Sequence, residues 1–379
     1  MNRETAYECR SCGARAPVTE PLWRCPACGA PLLLSPGAGF ARGQIRVEVA
    51  SMWRYGAAIR VPGPRVSLGE GLTPLVPGEI DGCPVRFKLE CLMPTGSFKD
   101  RGTAVMMNHL LDRGVASLLE DSSGNAGASI AHYAAAAGIA CTIFVPAAAP
   151  RAKRIQIAAS GARVVSVPGT RQDVADRALE AAATSFYASH NWQPFFIEGT
   201  KTLAFELWEQ LGCRAPDNII VPVGYGSNIL GCAFGFAELA AAGELDRAPR
   251  LFAVQAENCA PFLAAWRAGG DALPPFDVTP TVADGIATQR PVRLKEVLDA
   301  VRASGGAVVG VPEAAIAGAL AALGRRGLFV EPTSATAFAA AAGLIADRTI
   351  ARDHTTVVVL TGHGLKAAPV IGDLLEIAG

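Results

Sequence analysis

From residue 69 onward, short apolar runs alternate with longer alanine-rich stretches. The runs 84–90 (PVRFKLE), 141–146 (CTIFVP), 163–168 (RVVSVP), 218–223 (NIIVPV), 251–257 (LFAVQAE) and 355–362 (TTVVVLTG) have the length and residue content of buried strands. Between them, 127–138, 171–184, 201–212 and 335–348 have the length and composition of helices. This alternation predicts an α/β protein with mostly parallel sheets covered on both faces. No internal repeat interrupts it, and the main Gly/Pro-rich break lies at 35–43.

The first 35 residues follow another pattern. Cys9-x-x-Cys12 and Cys25-x-x-Cys28 are two knuckles, each followed by a glycine, Gly13 and Gly29. Such a pair brings four thiolates to one tetrahedral Zn²⁺. The alternatives are a ribbon that folds without metal and four ordinary thiols. A closed four-cysteine set leaves no open position, so a zinc here is structural.

At 379 residues the chain exceeds one core, and two domains plus a small appendage are expected. Lys plus Arg and Asp plus Glu both number 34, which gives no case for nucleic acid as a partner. The start MNRETAYECRSCG lacks an apolar signal core. The most apolar stretch, 128–150, is broken by Tyr133, Gly138 and Pro146, so it reads as helix then strand rather than a membrane span. Ten cysteines without such a leader point to a reducing, cytoplasmic setting.

Three loops stand where a strand should end and a helix begin, the usual ligand edge of an open α/β sheet. The first, 121–129 (DSSGNAGAS), offers Gly124 and Gly127 for close backbone approach and Asn125 as a side-chain donor; a plain capping turn at Ser122 or Ser123 is the alternative. The second, 223–228 (VGYGSN), opens a nest of amides at Gly224 and Gly226. Neither a dinucleotide fingerprint nor a Walker loop completes it. The third, 360–367 (LTGHGLKA), offers the Thr361 hydroxyl and His363, an acid–base group or a structural one. Upstream, Lys99 lies in 94–102 (PTGSFKDRG), where it is a solvated charge, a phosphate clamp or a nucleophilic amine. A lysine among small residues, a phosphate nest and an asparagine loop together point to pyridoxal 5'-phosphate, whose aldehyde, phosphate and ring hydroxyl require those three groups.

The segments PTGSFKDRG, SSGNAGAS, VPVGYGSN, EPTSA and TGHGLKA, in that order, resemble the fold-type II pyridoxal-phosphate enzymes and the threonine synthase-like family among them. The likeness runs from about residue 69 to the C-terminus. It implies the tryptophan synthase β-like architecture: two open α/β domains, here with an N-terminal zinc ribbon. The expected division is 1–35 for the ribbon, 36–90 plus 200–379 for a large cofactor-binding domain, and 91–199 for a small domain carrying Lys99. By resemblance, Lys99 is the lysine that binds the cofactor as a Schiff base. Asn125 is the donor to its ring hydroxyl, and Ser122, Ser123 and Ala126 receive the substrate carboxylate. Gly224, Tyr225, Gly226, Ser227 and Asn228 form the phosphate cradle, and Thr361 is the partner of the pyridine nitrogen. A hydroxyl at that place leaves the nitrogen unprotonated, which suits elimination. A homodimer is also implied.

Two departures bear on the substrate. Where threonine synthases have an arginine for the substrate phosphate in PxRLEGQKT, this chain has PFFIEGTKT with Phe196, and Tyr225 replaces an asparagine. ADGIA, 283–287, is similar to serine/threonine ammonia-lyases. Lys201 and Arg290 are the remaining cations nearby in sequence, expected as solvated surface charges. The expected activity is elimination of a β-substituent from a small amino acid, as an ammonia-lyase or by β-replacement. The alternatives are threonine synthase acting on O-phosphohomoserine, or a zinc-ribbon binding module with an inactive enzyme body.

Overall fold

The computed structural model describes residues 5–147, 151–169 and 171–376; residues 148–150 of the apolar stretch above lie outside them. In chain order the strands are β1 (Ala6–Cys9), β2 (Arg15–Pro17), β3 (Leu32–Leu34), β4 (Leu75–Ile80), β5 (Cys83–Lys88), β6 (Ser117–Glu120) and β7 (Ala140–Pro146). They continue with β8 (Arg163–Val167), β9 (Phe186–Tyr187), β10 (Asn218–Pro222), β11 (Arg250–Ala256), β12 (Ala307–Val311) and β13 (Thr356–Val359). The helices are α1 (Lys99–Asp112), α2 (Asn125–Ala137), α3 (Arg151–Ala159), α4 (Arg171–Ala181), α5 (Pro194–Thr200) and α6 (Thr202–Gln210). Beyond them come α7 (Ser227–Ala241), α8 (Pro261–Arg267), α9 (Leu294–Ala303), α10 (Glu313–Gly324), α11 (Pro332–Ala346) and α12 (Ala368–Leu374).

Two compact units result, one from residues up to 71 with 99–202, the other from 72–98 with 203 onward. The first unit holds an antiparallel ribbon in the order β2-β1-β3 and a parallel sheet in the order β8-β7-β6-β9. Helix α1 is buried along its length from Asp100 to Leu110, because its apolar residues and its polar ones alike find partners inside. The second unit holds a six-stranded sheet, β12-β11-β10-β13-β5-β4, parallel except for the hairpin of β4 with β5. Its core joins Val85, Phe87, Ile220, Phe252 and Val358 to α10 and α11, with Phe87 stacked on Phe338 at 6.1 Å.

Residues 36–71 depart from the expected division, since they pack with the first unit. The cause is polar as much as apolar. The buried Glu70 carboxylate accepts from Trp53 Nε1 (2.6 Å), Ser67 Oγ (3.0 Å), the Leu68 N–H (2.8 Å) and the Tyr133 hydroxyl (2.7 Å). Asn108 of α1 likewise accepts from the backbone of Arg65 and Val66. A carboxyl group carried inside with four donors holds that segment firmly, because each donor lost leaves a buried oxygen less well satisfied. Among the described residues no helix is long and apolar enough to cross a membrane.

Candidate active site and metal cluster

In the second unit β10 and β13 are adjacent and parallel, so their C-terminal ends lie side by side. One end runs into the 223–228 nest, the other into Thr361. Gly226 caps α7 with a left-handed φ of 89°, and a Cβ there would come within 2.2 Å of Val297 on α9. Only glycine fits both demands. Helix α7 has no side-chain cap, which leaves its first amides to a ligand or solvent. Next to it Asn228 is 3% exposed, yet neither its Nδ2 nor its Oδ1 has a hydrogen-bond partner. A buried amide without partners is costly unless a polar ligand meets it. The nest therefore fits a phosphate, as pyridoxal phosphate requires. Gly224 lies against Gly285 O, Ile286 and Thr288 of the ADGIA region.

Thr361 is buried, with its Oγ1 3.2 Å from Ser334 Oγ. Ser334, from the EPTSA segment that begins α11, also accepts from the Gly362 N–H at 2.9 Å. Thr361 O accepts from the Phe98 N–H at 3.0 Å, and Ser97 forms a bridge with Gly362. Lys99 is the next residue in the chain. His363 serves its own turn, where its Nδ1 accepts from the Leu365 N–H at 3.2 Å and caps a short helical segment.

In the first unit Lys99 opens α1, and its Nζ lies 5.6 Å from the centre of the Phe196 ring. Phe196 is fully buried, and a Cβ on Gly102, one turn along α1, would come within 2.6 Å of that ring. Asp100 accepts from Ser129 Oγ at 2.6 Å, and Arg101 donates to Thr202 Oγ1 at 3.2 Å, so both are buried packing groups. Ser122, Ser123, Asn125 and Ala126 follow β6 and lead into α2. Ser122 Oγ accepts from the Gly124 N–H at 3.3 Å, a local turn, whereas the cap position itself is Gly124. Gly127 has a reason other than the one expected: a Cβ there would sit 1.8 Å from Ser122 O, so the loop's own backbone demands it.

Lys201 corrects an expectation. It is buried rather than solvated, donating to Glu198 Oε1 and to Ala58 O at 2.8 Å each. Glu198 also takes Arg60 at 2.5 Å. Burial pushes the Glu198 carboxyl up, but Lys201 and Arg60 outweigh it and hold the pKa at about 2. Arg290, in the second unit, is exposed as expected.

The parallel sheet of the first unit adds groups that no sequence pattern singled out. Glu120, the last residue of β6, accepts from His190 Nδ1 at 2.9 Å and from the His190 N–H at 3.2 Å. The His190 ring meets Phe196 edge-on at 5.7 Å. A two-residue strand gave no pattern from which to place His190.

Cys9, Cys12, Cys25 and Cys28 have their Sγ atoms within 4.8 Å of one another, with Cys9–Cys28 at 3.5 Å and Cys12–Cys25 at 3.7 Å. The knuckles match: Gly13 N–H donates to Cys9 O and Gly29 N–H to Cys25 O, both at 2.9 Å. Such separations suit four thiolates around one ion with bonds of about 2.3 Å.

A family model described as pyridoxal-phosphate dependent enzyme matches residues 66–362. The threonine synthase of Methanosarcina acetivorans is 33% identical over 384 residues, covering 97% of this chain and 94% of its own length. That of Methanocaldococcus jannaschii is 34% identical over 373 residues, covering 94% and 92%. Among solved structures, a fungal L-serine ammonia-lyase from Rhizomucor miehei matches with a TM-score of 0.70 at 22% identity, over 80% of this chain and 98% of that one. That last likeness concerns the fold.

Proposed function

The chain belongs to the pyridoxal-phosphate dependent enzymes, in their fold-type II, threonine synthase-like branch, and from that membership we propose that it is a cytoplasmic lyase eliminating a β-substituent from a small α-amino acid. The observation that carries the choice of substrate is Phe196. Where a substrate phosphate would need a bidentate cation, a buried ring faces Lys99, and the segment's own Lys201, together with Arg60 packed against it, is committed to Glu198. An uncharged β-substituent, such as the hydroxyl of serine or threonine, suits that setting.

In this reading Gly224, Tyr225, Gly226, Ser227 and Asn228 hold the cofactor phosphate, Asn125 its ring hydroxyl and Thr361 its ring nitrogen. The bound cofactor supplies an electron sink for the pair left at Cα. Lys99 carries it and then, as the neutral amine, takes the Cα proton. Ser122, Ser123 and the backbone at Ala126 receive the substrate carboxylate and so fix which Cα bond faces Lys99. The products are a 2-oxo acid and ammonia, or a new amino acid where a nucleophile is captured. The four cysteines hold a structural zinc, and the working assembly is a homodimer.

A second reading, threonine synthase acting on O-phosphohomoserine, is favoured by the identity of 33% over nearly the whole chain to a relative of that name. One assay separates the two. The purified holoenzyme is expected to release ammonia and 2-oxo acid from L-serine or L-threonine. Release of phosphate and threonine from O-phosphohomoserine, without that activity, would overturn the proposal.

A further inference from the structure

We propose that the four-cysteine cluster is an oxidant-responsive latch: a hydroperoxide closes it into the cross-knuckle disulfides Cys9–Cys28 and Cys12–Cys25, which releases zinc and loosens α5. The inference rests on the zinc site proposed above and not on the choice of substrate. Each knuckle supplies one buried sulfur, from Cys9 or Cys25, and one exposed, from Cys12 or Cys28. The exposed Cys28 Sγ lies 3.5 Å from the buried Cys9 Sγ, and the exposed Cys12 Sγ 3.7 Å from the buried Cys25 Sγ. An oxidant arriving from solvent therefore meets an outer sulfur whose inner neighbour, on the other knuckle, can close the bond. No other cysteine among the described residues is exposed, so the attack is confined to this cluster.

The step balances with the peroxide as oxidant. The outer thiolate attacks the peroxide; an S–O bond forms, the O–O bond breaks, and the departing hydroxide takes a proton to become water. The inner thiolate then attacks the sulfenic sulfur; S–S forms, S–O breaks, and a second water leaves after protonation. Each pair of thiolates gives two electrons to one peroxide, and zinc keeps its charge throughout. Once both pairs have closed, no thiolate is left to hold the ion.

The segment between the knuckles carries the change inward. The Val18 carbonyl accepts from Arg113 Nε, just past α1, at 2.8 Å, and the Leu22 carbonyl accepts from Gln193 Nε2 at 3.3 Å. Gln193 Oε1 in turn accepts from the Phe195 N–H at 3.0 Å and so caps α5, the helix that carries Phe196. Trp23 stands edge-on to Tyr187 and Trp192, with ring centres 5.1 and 5.5 Å away. Bonded sulfurs stand about 2 Å apart, so each pair must close by roughly 1.5 Å. Leu22 is three residues before Cys25, and the shift acts directly on its contact with Gln193. A helix as short as α5 depends on that cap.

The test treats zinc-loaded holoenzyme, purified under reducing conditions, with hydrogen peroxide. A chromogenic chelator follows released zinc, tryptic peptide mapping locates the disulfides, and mass spectrometry follows hydrogen exchange in α5. The expected result is loss of the bound zinc, the two cross-knuckle disulfides, and exchange in α5 faster by at least about tenfold. Dithiothreitol with added zinc should reverse all three. Cleavage after Arg10, Arg15 and Arg24 separates Cys9, Cys12 and the Cys25–Cys28 peptide, so cross-knuckle bonds join three peptides, whereas same-knuckle bonds leave Cys25 and Cys28 in one looped peptide. Same-knuckle disulfides, zinc retained under peroxide, or zinc release with α5 exchange unchanged would each overturn the latch. A holoenzyme without zinc before treatment overturns the metal site and the latch together. The assay on serine, threonine and O-phosphohomoserine is decided independently of all these outcomes.

Discussion

The hydroxyl of Tyr7 lies 2.9 Å from Nε2 of His109, and through this contact the cysteine ribbon touches the helix that Lys99 begins. Tyr7 stands two residues before Cys9 on β1. His109 is stacked on Phe195 with ring centres 3.7 Å apart, and Phe195 precedes the ring under Lys99. The ribbon is thereby part of the core of its unit, not an independent appendage.

Burial holds His109 neutral, with its pKa lowered to about 3, and the Arg113 charge adds to that. The unfolded chain takes up this proton near pH 6.5, whereas the folded one does not. Stability from this site is therefore full above about pH 6.5 and declines, by about 1.4 kcal/mol per pH unit, as pH falls toward 3. His109→Gln should remove that slope, as seen by urea denaturation at pH 7.5 and 5.5. An unchanged slope would place the acid sensitivity elsewhere.

Glu198 has the opposite chemistry but the same direction. Its folded pKa, about 2, is below the unfolded value, so its contribution is complete above about pH 4.5 and fades as pH drops through 2. Replacing it by Gln leaves the buried Lys201 and the partly buried Arg60 without their counter-ion. The loss should be about 3–5 kcal/mol, read from the denaturation midpoint at neutral pH. A cost below about 1 kcal/mol would show that solvent reaches the pair.

Asn228→Ala should weaken cofactor binding by about tenfold, near the usual value of a hydrogen bond to a charged group. Titration of cofactor-stripped protein with pyridoxal phosphate, followed by absorbance, reads this directly. Wild-type affinity in the variant would remove Asn228 from the cradle.

Gly102→Ala should cost about 1–3 kcal/mol, since the new methyl group would overlap the Phe196 ring. Pairing it with Phe196→Leu should recover part of the loss. A double-mutant cycle with no coupling would contradict the contact.

Zinc analysis of the purified protein should give one ion per chain, and Cys25→Ser should abolish it together with much of the thermal stability of the first unit. Full stability without metal would make the ribbon self-sufficient.

The sequence was most legible where composition and spacing are strict. Strands β10, β11 and β13 stand out as apolar runs because helices bury both their faces. The cysteine pairs and the 223–228 nest could be placed because few residue types satisfy such turns. Strands β6 and β12 do not stand out, since four or five residues with a serine or glycine among them carry little periodicity. The same brevity in β9 hides His190. Ser334 draws notice only as part of a familiar segment, because its partner Thr361 is 27 residues away. Lys201 misleads for a general reason: a lysine looks solvated in sequence until its carboxylate, here three residues earlier, is seen to be buried with it.

Phe196 is wholly interior, and the proposed choice of substrate turns on it. In most enzymes selectivity drifts through exposed loops, which tolerate trial and error. Here any change of preference at this position also repacks α1 against α5. Evolution or an engineer would first have to accumulate surplus stability elsewhere, so new specificities should arise only in already robust backgrounds.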